Sequence, residues 1–180
     1  MPAHVSVSAR PALGGQYIGM FDPTIYGDEV ARILALDGNG ERLMPLTRGN
    51  CSSEARKMLD VSKLAELVRA GLYFYFGCWK EAHELADNNT HDGNYWHGIV
   101  HRQEPDSGNA GYWFRQLGQH PVFPLLRARA AEIGVDFGPQ WDPFAFIDYC
   151  GRAGPGTEEE RGALEVQRAE WQLLFDHCAR

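Results

Sequence analysis

Apolar residues recur along this chain at intervals of three and four, and no stretch sustains the period-two alternation of a half-buried strand, so the pattern predicts helices. Gly27 to Leu36 puts Val30, Ile33 and Leu34 on one face and is stopped by Asp37-Gly38-Asn39-Gly40, residues that tolerate positive φ. A second helix fits Ser53 to Leu59. A third starts near Asp60 or Ser62, with Leu64, Leu67 and Val68 on its apolar face, and bends or breaks at Gly71. From Leu72, the segment LYFYFGCWKEAHELAD is apolar on nearly all sides through Trp79 and amphipathic beyond it. That predicts a central helix over 72–87 whose first half is surrounded by protein. The first 24 residues lack periodicity, carry Gly and Pro, and read as an extended arm.

After a polar loop at 88–93, Asp92 is placed to cap a helix over 94–103, which Pro105 ends by disfavouring helical geometry at Glu104. Asp106 or Ser107 then caps a helix carrying Ala110, Trp113, Phe114 and Leu117, stopped at Gly118. Pro121 opens a helix with Phe123, Leu126, Ala130 and Ile133 on one face and Gly134 at its end. Asp142-Pro143 repeats the cap-then-proline start, and Thr157 with Glu160 has capping-box spacing ahead of a last helix striped by Leu164, Trp171, Leu174, Phe175 and Cys178. The sum is an all-α fold: one compact domain over residues 1–180 with about seven helices, packed as antiparallel hairpins around a central one at 72–104.

Composition narrows the function classes. Hydrophobic residues make up 44% of the 180-residue chain, enough for a sizeable core. A formal charge of -7 and a pI near 5.4 leave no clustered Lys and Arg to neutralise phosphates, so no nucleic-acid partner is expected. An acidic surface also disfavours anionic membranes, and no apolar run reaches the length of a span. Cys51, Cys78, Cys150 and Cys178 form no CxxC pair. They read as reduced structural thiols, and with no signal peptide visible at the start, a cytoplasmic location is expected.

The candidate chemistry lies in HDGNYWHGIVHRQEPDSGNAGYWFR, residues 91–115. On the helix over 94–103, Trp96, Ile99 and Val100 share one face, while Asn94, His97, His101 and Glu104 follow each other at spacings of three and four on another. Two imidazoles one turn apart can share a divalent metal. His83 sits on the stripe of Leu72, Phe76, Trp79 and Ala86 in the preceding helix. In an antiparallel hairpin it comes level with His97, at a rise of about 1.5 Å per residue. The expected metal ligands are therefore His83, His97 and His101, for a divalent ion such as Zn, Fe, Mn or Ni. His101 and Glu104 are the candidate proton-transfer groups; Arg102, Arg115, Asn94 and Trp96 are the candidate contacts to a small-molecule substrate, the arginines as carboxylate or phosphate clamps. The reaction class, and whether there is one, stays open.

Each of these residues also has a structural reading. His97 and His101 can be hydrogen-bonded or solvated, His83 a satisfied core histidine, the aromatics helix packing, and the Arg102, Glu104, Asp106 and Arg115 set an ion-pair network. The chain is then a non-enzymatic helical interaction protein of tetratricopeptide-like hairpins, although two vague units fall short of a repeat. His83-Glu84-Leu85-Ala86-Asp87 resembles HExxH but has aspartate in place of the second histidine. The calcium-loop start at Asp37 fails because Arg42 and Arg48 stand where glycine and glutamate are needed.

Overall fold

In the computed structural model, which describes residues 20–104 and 107–180, four of the α-helices begin where a side-chain oxygen takes up a free amide of the first turn. The helices are α1 (Asp28–Leu34), α2 (Ser53–Asp60), α3 (Glu66–Tyr75), α4 (Trp79–Ala86), α5 (His91–Arg102), α6 (Ser107–Leu117), α7 (Phe123–Ile133), α8 (Pro143–Arg152) and α9 (Glu158–Ala179). Ser52 accepts from the Ala55 amide at 3.3 Å to cap α2. Asp142 caps α8 through Phe144 and Ala145, and Thr157 caps α9 through Glu160 at 3.1 Å. The α5 cap is Thr90, which accepts from Gly93 at 2.9 Å. Asp92, expected in that role, lies inside the first turn and turns towards His120 and His177.

There is no strand among the described residues, and the fold is all-α. Nine α-helices lie among the described residues, close to the seven or so expected. The expected helix over 72–87 is two helices. Gly71 does not break the chain: it lies inside α3, where a Cβ would stand 2.8 Å from the Trp96 ring and where its carbonyl accepts from Trp171 Nε1 at 2.8 Å. The break comes at Gly77, at φ 75°, and an added Cβ there would be 2.6 Å from the Asn50 carbonyl oxygen. α7 starts at Phe123, two residues after the expected Pro121, with Pro124 taking the early helical position.

The core runs along α9, whose Trp171 and Phe175 stack on each other at 5.0 Å and pack on α3. Tyr73, Phe74, Tyr75 and Trp96 fill the space around them. Of the expected arm, residues 1–19 lie outside the described residues. Phe21 rests on Trp171, and Pro23–Tyr26 form a 3-10 turn rather than extended chain.

Between α1 and α2 the chain makes a long loop without helical periodicity, and polar side chains strap it down. Gln167 of α9 donates to the Met44 carbonyl at 2.8 Å, Gln172 to Gly40 at 2.9 Å, and Gln103 to Pro45 at 2.8 Å. The loop also carries Cys51 to Cys78, and the two are joined in a disulfide with Cα atoms 4.3 Å apart. The expectation of four reduced thiols is corrected for this pair: 27 residues separate them in sequence, but the turn at Gly77 folds α4 back onto the loop. Cys150 and Cys178 are free thiols, half-buried. The cytoplasmic expectation thereby loses one of its premises. No helix among the described residues is long and apolar enough to cross a membrane.

Candidate metal centre

The four-residue loop between α4 and α5 sets the two helices side by side, so that His83 faces His97 and His101 across one turn. His97 Nε2 lies 2.9 Å from His83 Nε2, which lies 3.1 Å from His101 Nε2. Four ligand nitrogens at about 2.0–2.1 Å around a tetrahedral ion are about 3.3 Å apart. Nitrogens at this spacing, all within 4.8 Å of one another, can thus converge on one ion. His97 is 2% and His101 5% exposed, while His83 is half-buried at the edge.

Aromatic and ionic neighbours fix each ring. Trp113 of α6 stacks on His97 at 3.8 Å, and Trp79 stacks on His83 at 4.9 Å while donating its Nε1–H to the Val100 carbonyl at 2.9 Å. His101 Nδ1 is hydrogen-bonded to Glu104 Oε2. A carboxylate accepts only, so Nδ1 carries a proton, and in the neutral form of the ring the Nε2 lone pair faces the other histidines. Glu104 Oε1 pairs with Arg48, whose guanidinium lies 3.4 Å over the Trp79 ring. Arg48 reaches the site from the strapped loop, its backbone amide donating to the Gln103 carbonyl at 3.3 Å.

The cluster is poorly satisfied as a hydrogen-bond network. An imidazole nitrogen has one in-plane proton or lone pair, so His83 Nε2 cannot serve both neighbours in line. His97 Nδ1 is buried without a partner, and a stranded buried polar atom costs about 1–3 kcal/mol. Among the described residues, none of these three rings hydrogen-bonds a backbone carbonyl, the partner that a merely structural histidine commonly finds. Burial, reinforced by the neighbouring His83 and His101, pushes the His97 imidazole down to about 4. His83 is also lowered, first by burial and then by His101. Burial acts to raise the Glu104 carboxyl, but the His101 hydrogen bond and the charges of His101 and Arg48 outweigh it and hold it below its ordinary value.

Of the residues singled out from sequence, the structure brings together His83, His97, His101 and Glu104. Both Glu104 oxygens are committed, one to Arg48 and one to His101, which places it behind a ligand rather than at the centre. Arg102 points into the core, pairing with Glu170 of α9 over the Phe146 ring; both charged groups are buried and Tyr95 donates to the same carboxylate at 3.1 Å. Trp96 is fully buried against Phe74, and Arg115 lies on the exposed side of α6, beside Phe144. Asn94 is half-buried one turn before His97, with no side-chain hydrogen bond to the histidines. Asp106 lies outside the described residues. Arg48, Trp79 and Trp113 are the neighbours that sequence reading did not assign to a site. The tryptophans look like ordinary packing residues, and Arg48 lies in a loop with no pattern to read.

A second group, His91, Asp92 and His120, also gathers ligand-type atoms. Its tautomers argue against an ion: His120 Nδ1 accepts from the Val122 amide at 3.2 Å, so the ring proton is on Nε2, which donates to Asp92 at 2.9 Å. No protein-family model, curated protein or solved structure matches this chain. What fold and site define is therefore an all-helical protein with a cluster of three histidines backed by a carboxylate.

Proposed function

We propose that this chain is a metalloprotein that holds one divalent transition ion on the Nε2 atoms of His83, His97 and His101, with Glu104 orienting His101 from behind. The observation that carries the reading is the convergence of three imidazole nitrogens whose protons cannot be arranged into a satisfied network. A carboxylate on the far nitrogen of a ligating histidine is a recurrent outer-shell partner that fixes tautomer and raises basicity. An all-imidazole shell suits Zn, Fe or Ni better than the oxygen-preferring Mn. Three protein ligands leave a fourth position for water or a small-molecule substrate, as catalytic zinc sites do.

Elemental analysis of protein produced without a histidine tag tests this directly. The expected result is one equivalent of metal per chain, bound or taken up on addition of Zn, and lost in both His83→Ala and His97→Ala. A wild type that neither carries nor takes up metal, with variants that are merely less stable, would instead make the cluster a structural element of an interaction protein.

A further inference from the structure

The disulfide lies one residue from the histidine centre's supporting shell, and its surroundings favour its reduction. Cys78 is the N-cap residue of α4, and Cys51 immediately precedes Ser52, the N-cap of α2. Both sulfurs therefore sit at the positive ends of eight-residue helices, where a thiolate is stabilised and becomes a better leaving group. The opposing charge is Glu81, near both sulfurs, but Arg56 of α2 holds its carboxylate at 2.7 Å. Cys51 is half-buried and the more exposed of the two; Cys78 is buried.

The bond also fastens the segment that holds the site. Three residues before Cys51, Arg48 lies on Trp79 and grips Glu104; one residue after Cys78, Trp79 stacks on His83. Besides the disulfide, the backbone holds this segment by Ser52 N–H to Phe76 at 3.0 Å and Arg48 N–H to Gln103 at 3.3 Å. The fold can thus survive reduction while the Arg48–Trp79 contact loosens.

We propose that Cys51–Cys78 is a redox-active disulfide that regulates the metal centre, an inference that rests on the metal-binding reading above for its effect on affinity but not for its chemistry. A thiolate of a dithiol reductant attacks Cys51 Sγ, and the sulfur–sulfur bond breaks with Cys78 leaving as the thiolate. The reductant's second thiol then attacks its own sulfur in the mixed disulfide, closing the reductant's ring and releasing Cys51. Two electrons and two protons pass to the protein, and the reductant leaves as its disulfide.

Folded protein is treated with millimolar dithiothreitol without denaturant, followed by alkylation and mass analysis. The Trp79 indole N–H, assigned by comparison with Trp79→Phe, is followed by NMR. Expected are full reduction with unchanged helix content, and exchange of the Trp79 N–H about ten-fold faster as its cover loosens. Zn affinity is compared between the oxidised wild type and the Cys51→Ser/Cys78→Ser double variant, which has no thiolate to bind Zn itself. It should be about ten-fold weaker in the variant, the scale of losing an outer-shell contact. A bond that resists reduction until the chain unfolds overturns the proposal, as does reduction that leaves the Trp79 signal, or the variant's Zn affinity, unchanged. Absence of Zn binding in every form overturns the metal reading and the regulatory claim with it, while the reduction and Trp79 readouts still decide whether the bond is redox-active.

Discussion

Glu104 divides its oxygens between Arg48 and His101, and that division gives it a definite role. With Glu104→Gln, one of the two contacts must go, because the amide offers one acceptor where the carboxylate offers two. Metal affinity, read by competition with a chromophoric chelator, should fall about 10- to 100-fold, with little change in urea stability because the side chain is partly exposed. Equal affinity in the variant would remove Glu104 from the site. His97 and His101 could be read together from sequence because a helix puts residues four apart on one face, and His83 joined them because a short loop fixes the register of two neighbouring helices. Arg102 has the same local spacing but points the other way, into a buried ion pair with Glu170 that is 68 residues distant in sequence. Spacing assigns a side chain to a helix face; what covers that face is decided by helices elsewhere in the chain.

Gly71 and Gly77 show how helix boundaries escape the same kind of reading. Both interrupt apolar sequence, yet one is a packing glycine inside α3 and the other is the turn that separates α3 from α4. The difference is tertiary: Trp96 and Phe175 crowd Gly71, whereas Gly77 adopts a left-handed φ with the Asn50 carbonyl against it. In Gly77→Ala, the left-handed conformation alone costs about 1–2 kcal/mol, and the contact with Asn50 adds to it. The urea midpoint should drop accordingly, with an unchanged slope if the unfolding remains two-state. A midpoint equal to wild type would mean that the α3–α4 turn does not need this backbone. The all-α class was legible because the segments that fold as helices carry 3.6-residue periodicity. The Cys51–Cys78 bond and the approach of Arg48 were not, because the loop that delivers both has no periodicity and is placed by Gln103 and Gln167.

Across the whole molecule, one polar junction ties three distant parts of the chain together and makes stability depend on pH. His120, ahead of α7, is buried; Asp92 and His91 face it from α5 and His177 from α9. Burial lowers the His120 imidazole from its ordinary 6.5, and although Asp92 favours the charged form, the neighbouring His177 and His91 oppose it. The native Nδ1 also accepts from the Val122 amide, a bond that a protonated ring cannot keep. A histidine whose folded value is depressed binds fewer protons in the native state than in the unfolded chain, so stability rises with pH across the window between those two values. The contribution is fully present above about 6.5 and is lost as pH falls from there through the folded value. His120→Gln should flatten part of that slope when urea unfolding is measured from neutral to mildly acidic pH in the presence of chelator, which keeps metal binding out of the comparison. A slope that is identical in the two proteins would place the acid sensitivity elsewhere and leave the junction as packing that titration does not reach.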